Sequence, residues 1–125
     1  MERKKVVYIA GPITGVENYW EAFEQAEEDL DSLGYIPLSP SRLPKGMTNE
    51  QYTRIDFAMI DSADAVLFLE GWERSEGSCL EYQYCKYIGK PRVPQRIRER
   101  CSGETYPREV TQVWLKTDLE EVLKV

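Results

Sequence analysis

Apolar and polar positions switch between two periods along this chain. Residues 5–10, KVVYIA, are a short β-branched and aromatic run stopped by Gly-Pro, which predicts a buried first strand. In residues 17–34, ENYWEAFEQAEEDLDSLG, the apolar positions Trp20, Phe23, Ala26, Leu30 and Leu33 recur every three or four residues and Gly34 follows as a stop. That spacing predicts an amphipathic helix, with Glu24, Glu27, Glu28 and Asp29 on its solvated face. YIPLSP, residues 35–40, reads as a second strand degraded by prolines, leading into the breaker-rich loop SRLPKGMT. Thr48 with Gln51 matches a capping box and opens a second helix through about Ser62. AVLFL, residues 65–69, is apolar on both faces, as a central parallel strand requires. A turn and a third helix follow over SEGSCLEYQYCKYI, ended by Gly89, Lys90 and Pro91.

Beyond Pro91, PRVPQRIRERCSGETYPREV predicts a strand fragment and a mobile loop. VTQVWL, residues 110–115, carries a strand signal, and TDLEEVLKV predicts a short closing helix capped by Thr117 or Asp118. Strands alternating with helices predict an α/β fold: a three-layer sandwich around a mostly parallel, Rossmann-like or flavodoxin-like sheet of about five strands. A length of 125 residues fits one domain over residues 1–125.

Composition narrows the function classes. No apolar run approaches a membrane span, and the apolar stretch after the basic start MERKK is too short for a secretory leader, so the reading is a cytoplasmic protein. Cys79, Cys85 and Cys101 are odd in number with no C-x-x-C, which supports neither a disulfide framework nor a zinc site. A net charge of −6 argues against a nucleic-acid polymer as partner, despite the local basic cluster from Arg92 to Arg100. With no histidine in the chain, any acid or base must be a carboxylate, Tyr, Cys or Lys. Nothing implies a metal or an organic cofactor.

Two glycine-bearing loops follow predicted strands, where open parallel sheets bind ligands. AGPITG supplies Gly11, Pro12, Ile13, Thr14 and Gly15; SEGS supplies Ser75, Gly77 and Ser78 at a helix start. Either these loops cradle an anionic group such as a phosphate, or the glycines only make turns. Neither matches the Walker or dinucleotide fingerprint. Asp56 falls beside the apolar stripe of Tyr52, Ile55, Met59 and Ala63, and Glu81 falls on the stripe continued by Cys85 and Ile88. Charged residues rarely occupy such positions without a partner. Either both are boundary acids, or they line one cleft as the paired carboxylates of glycosidic cleavage, with a place in the first turn helping to keep Glu81 ionised. Tyr8 either fills the core or hydrogen-bonds a carboxylate across that cleft. Trp72 either stacks on a base or packs at the surface. Cys79 and Cys85 lack a histidine to activate them as nucleophiles.

YIAGPITG, then YTRIDFAMIDSADAVLFLEGWERSEGSCLE, then the terminal TQVW segment and acidic helix resemble the nucleoside 2-deoxyribosyltransferase-like superfamily. That superfamily includes the deoxynucleoside 5′-monophosphate N-glycosidases. The resemblance spans nearly the whole chain apart from residues 92–108. It implies Glu81 as the nucleophile attacking C1′ of the sugar, Asp56 as the residue managing the proton on the leaving base, and Tyr8 as the phenol orienting Glu81. Ser75 stands where transferases carry an Asp near the sugar 5′-hydroxyl and where the monophosphate hydrolases carry a Ser. This favours hydrolysis of a (deoxy)nucleoside 5′-monophosphate, with base exchange or a non-catalytic nucleotide-sensing module as alternatives. It further implies a homodimer or higher homo-oligomer. Pro12 departs from the pattern, as does Glu76, a bulky acid close to the expected phosphate.

Overall fold

Tyr8, Val66 and their neighbours are buried on both sides, so β1 (Val6–Ala10) and β3 (Ala65–Phe68) form the middle of a sheet with both faces covered. The computed structural model describes residues 3–13 and 16–124; Thr14 and Gly15 of the first glycine loop lie outside the described residues. The sheet is fully parallel in the order β2-β1-β3-β4, with β2 at Ile36–Leu38 and β4 at Arg92–Pro94. The period-2 alternation sorts side chains between the two faces. Val7, Ile9, Ala65, Leu67 and Val93 meet Phe23, Ala26 and Leu30 of α1 (Tyr19–Ser32) and Leu119 of α4 (Arg108–Leu123). Tyr8, Ala10, Val66 and Phe68 meet Ile60 of α2 (Asn49–Ser62) and Cys85 of α3 (Glu76–Ile88). The result is the expected three-layer sandwich.

Local signals explain most boundaries. Thr48 Oγ1 accepts from the Gln51 N–H at 3.1 Å while Gln51 Oε1 accepts from the Thr48 N–H at 2.9 Å, so the capping box is complete. Gly89 ends α3 at a φ of 73°, a left-handed backbone that costs glycine little. Trp20 lies outside the buried stripe of α1, at 50% exposure, and Ile88, last in α3, also emerges into solvent.

Three expectations are corrected. The sheet has four strands among the described residues, because VTQVWL is not a fifth strand but the first half of α4, which runs unbroken through Thr117 and Asp118. The reason is tertiary. Arg108 and Gln112, one helical turn apart, both donate to Asp29 Oδ1 at 3.0 Å, and Leu115 and Leu119 continue that face onto the sheet. Asp29 is therefore not on a solvated face: it is buried and also accepts from Gln25 at 3.1 Å, fastening α1 to α4. Finally, the basic segment after β4 is closed on itself by the Glu99–Thr105 bridge and by the Arg100 N–H donating to the Glu104 carbonyl at 2.6 Å.

Candidate active site

The strand order places β1 between neighbours reached in opposite directions, so the loops leaving β1 and β3 diverge at the carboxyl edge of the sheet. Clefts for ligands form at such switch points. Gly11 lies in this crevice for a packing reason: a Cβ there would stand 3.0 Å from Leu69, which follows β3. Pro12 is half-buried, whereas Ile13 turns to the α1/α4 cluster, away from the other candidates.

Tyr8, Asp56 and Glu81 come together on the α2/α3 face. The Tyr8 phenol, with no exposed surface, donates a short hydrogen bond to Glu81 Oε2. Glu81 is only 7% exposed, on the same face of α3 as Ser78 and Cys85. The Oδ1 of Asp56 is buried without a hydrogen-bond partner, and its charge acts on both Tyr8 and Glu81. An unsatisfied buried carboxylate oxygen costs stability, which makes Asp56 a candidate for contact with a ligand.

The electrostatics overturn one expectation. Glu81 lies five residues after the first residue of α3, in its second turn, and the helix start does not hold it ionised. Burial pushes its carboxyl up to about 8; the hydrogen bond from Tyr8 opposes the rise and the charge of Asp56 adds to it. Burial also pushes Asp56 up to about 6. The Tyr8 phenol is driven well above its ordinary range by burial, then by Glu81 and Asp56. Between those carboxyl values the pair holds about one proton and one negative charge. Those values leave the proton on Glu81 and the charge on Asp56, the reverse of the nucleophile and acid that the resemblance implies; the hydrogen bond from Tyr8 works against that order by favouring ionised Glu81.

The second glycine loop begins α3. Ser75 caps the helix, its Oγ accepting from the Ser78 N–H at 3.3 Å, and only that Oγ, at 3.9 Å, comes near a Cβ placed on Gly77. Ser78 is 1% exposed with its own Oγ unpartnered. Trp72 packs into the same cluster, its ring stacked on Tyr82 at 4.6 Å between centroids, with Arg92 lying 5.4 Å from the Tyr82 ring. Tyr82 escaped notice in the sequence because nothing distinguishes it from Tyr84 or Tyr87 until the fold brings Trp72 against it. Cys85 sits one turn beyond Glu81, but burial and the Glu81 charge push its thiol up to about 11, which leaves it unreactive. Cys79 donates to the Glu73 carbonyl at 3.3 Å.

A cavity of about 450 Å³ lies on the opposite face, lined by Asp29, Arg98, Arg108 and Tyr106 among others. It includes none of Tyr8, Asp56 and Glu81. Among the described residues no group of three His, Cys, Asp or Glu side chains is arranged to hold a metal, and no helix is long and apolar enough to cross a membrane.

Comparison with known proteins agrees with this frame. No curated protein matches the sequence. A 2-deoxyribosyltransferase from Bacillus psychrosaccharolyticus shares the fold with a TM-score of 0.58 and 21% identity, over 71% of this chain and 70% of that one. A 2-deoxyribosyltransferase from Leishmania mexicana does so with a TM-score of 0.60 and 18% identity, over 83% of this chain and 79% of that one. Residues 5–93 match the family described as Domain of unknown function, DUF4406. From Lys5 through Val93, across the sheet and the Tyr8–Asp56–Glu81 cluster, the chain belongs to DUF4406, and its fold is that of the 2-deoxyribosyltransferases.

Proposed function

We propose that this protein hydrolyses the N-glycosidic bond of a (deoxy)nucleoside 5′-monophosphate through a covalent glycosyl-Glu81 intermediate. The observation that carries the reading is the Tyr8 hydrogen bond to a buried Glu81 beside an unpartnered Asp56 oxygen. In the first step the one proton the pair shares moves from Glu81 to Asp56 as substrate binds; ionised Glu81 then attacks C1′, the bond from C1′ to the base nitrogen breaks, its electron pair leaves with the base, and protonated Asp56 supplies the proton. In the second step water attacks C1′, Asp56 takes its proton, and Glu81 departs as carboxylate. Tyr8 donates to Glu81 throughout and positions it. Neutral Ser75 at the start of α3 admits a 5′-phosphate that a carboxylate would repel. The site is read as one of a soluble enzyme acting in the cytoplasm, as a dimer or larger assembly.

Base exchange is the second reading, favoured by the shared fold with two 2-deoxyribosyltransferases. In it a second base takes the place of water at C1′.

Incubation with each nucleoside monophosphate and nucleoside, followed by chromatography of the free base, tests the reading. The expected result is base release that falls by about a thousandfold or more in Glu81→Ala, the scale of removing a nucleophile. Release that survives Glu81→Ala overturns the mechanism. Formation of a new nucleoside when a second free base is added would identify exchange in place of hydrolysis.

A further inference from the structure

The carboxyl edge of this sheet is acidic. Asp56 lies on α2 and Glu81 on α3, Glu73 and Glu76 flank the second glycine loop, and the chain as a whole carries a net charge of −6. A nucleoside monophosphate brings a phosphate of charge about −1.5 to −2 at neutral pH into that field. Without a compensating cation the site would repel the substrate proposed for it.

Arg74 is the candidate for that cation. It ends the 3₁₀ turn Trp72–Arg74, immediately before the α3 cap Ser75. Its guanidinium does not reach for Glu73 or Glu76, and among the described residues it forms an ion pair with no carboxylate. It folds back over Gly71 instead: a Cβ on Gly71 would lie 3.4 Å from Arg74 Nη2 and 3.8 Å from Pro12 Cγ. The free guanidinium therefore sits between the loop leaving β1 and the loop leaving β3. Arg92, whose buried Nη1 also lacks a partner, lies against the Tyr82 ring and pairs in register with Val66, toward the amino end of β3; Arg98 is 3.9 Å from the Glu70 carboxylate.

The start of α3 supplies the remaining donors. Ser75 engages the N–H groups of Ser78 and Cys79, so those of Glu76 and Gly77 are without an acceptor among the described residues. Ser78, almost completely buried, keeps an unpartnered hydroxyl on the same turn. Gly77 leaves the space above that turn open. Free N–H groups, a buried spare hydroxyl and a free guanidinium beside one loop make a set of donors for a tetrahedral dianion.

We propose that Arg74 supplies the cation for a 5′-phosphate seated on the second glycine loop, already read as its cradle, and so selects a nucleoside monophosphate over the free nucleoside. The inference rests on the glycosidase reading, but assigns the discrimination to a residue outside the Tyr8–Asp56–Glu81 cluster. The test compares kcat/KM for base release from a nucleoside 5′-monophosphate with that from its nucleoside, in wild type, Arg74→Ala and Arg74→Lys, alongside calorimetric titration of each protein with the monophosphate. A charge-assisted hydrogen bond predicts that the monophosphate-to-nucleoside ratio falls about 10- to 100-fold in Arg74→Ala, chiefly through KM, and is partly restored in Arg74→Lys. The Kd for the monophosphate should rise in parallel. An unchanged ratio, or an equal loss on both substrates, overturns the role of Arg74 while leaving the glycosidase reading intact. If wild type releases no base from either substrate, the glycosidase reading falls, and the titration alone decides the inference: equal Kd values in wild type and Arg74→Ala overturn it.

Discussion

Glu81 combines two conditions that oppose each other, burial that disfavours its charge and the nucleophilic role proposed for it, which needs that charge. The hydrogen bond from Tyr8 is the local means of reconciling them, since a donor to the carboxylate stabilises the ionised form. Tyr8→Phe should therefore move the Glu81 titration to still higher pH, followed by carbon-detected NMR of the side-chain carboxyl, and lower kcat by about 10- to 100-fold, the worth of one hydrogen bond to a charge. A shifted titration with kcat unchanged would mark the tyrosine as structural. Asp56→Asn keeps shape but removes the proton that the proposed mechanism delivers to the leaving base. It should abolish the basic-side dependence of kcat on Asp56 and slow bases of high basicity more than those that leave easily, as compared by pH–rate profiles. The carboxylates stood out in the sequence because they interrupt apolar stripes. Their pairing was one of two readings left open there, because it depends on α2 and α3 lying side by side on one face of β1.

At the scale of elements, α4 shows how a helix can override a strand pattern. Val110, Val113 and Trp114 have the residue types of a strand, and propensity alone is a weak prior. Helical spacing wins because it brings Arg108 and Gln112 to one carboxylate and Leu115 and Leu119 to one apolar face. Asp29→Ala should lower stability by about 1 to 3 kcal/mol in urea unfolding, since it strands three donors at a helix junction. Thr48→Ala, which removes the side-chain half of the capping box, should cost about 1 kcal/mol in the same measurement. The α2 signal was legible because both partners of the box lie three residues apart. The Asp29 link was not, because its partners are about eighty residues distant in sequence.

The whole molecule inherits a pH dependence from these sites. Glu81 and Asp56 have folded values raised to about 8 and about 6, so the folded state binds more protons than the unfolded chain between the ordinary carboxyl range and those values. Stability is then lost as pH rises through that window. Asp64 works in the opposite direction: the hydrogen bond from Arg3 comes first, the Val6 N–H adds to it, and the carboxyl is held down at about 2. Its contribution is present above the ordinary carboxyl range and is lost as pH falls toward 2. Thermal melting should accordingly show a midpoint that declines from pH 5 to pH 8, and Glu81→Gln should flatten that decline and raise the midpoint at pH 8. A midpoint in Glu81→Gln that tracks wild type across this range would show that Glu81 ionises freely in the folded protein.

What the sequence determined by itself was whatever depends on near neighbours. The strand and helix periods, the capping box at Thr48, the stop at Gly89 and the two acids set on apolar faces all express interactions within about one turn of chain. The fold class followed, because alternating strands and helices have few ways to bury both faces of a parallel sheet. The tertiary structure alone decided the rest: that residues 110–115 turn helical against Asp29, that Ile13 faces away from the site, that Tyr8 reaches Glu81, and that Arg74 folds toward Pro12. Each of these rests on a partner remote in sequence or on the burial of a charge, and neither quantity exists until the layers have closed around the sheet.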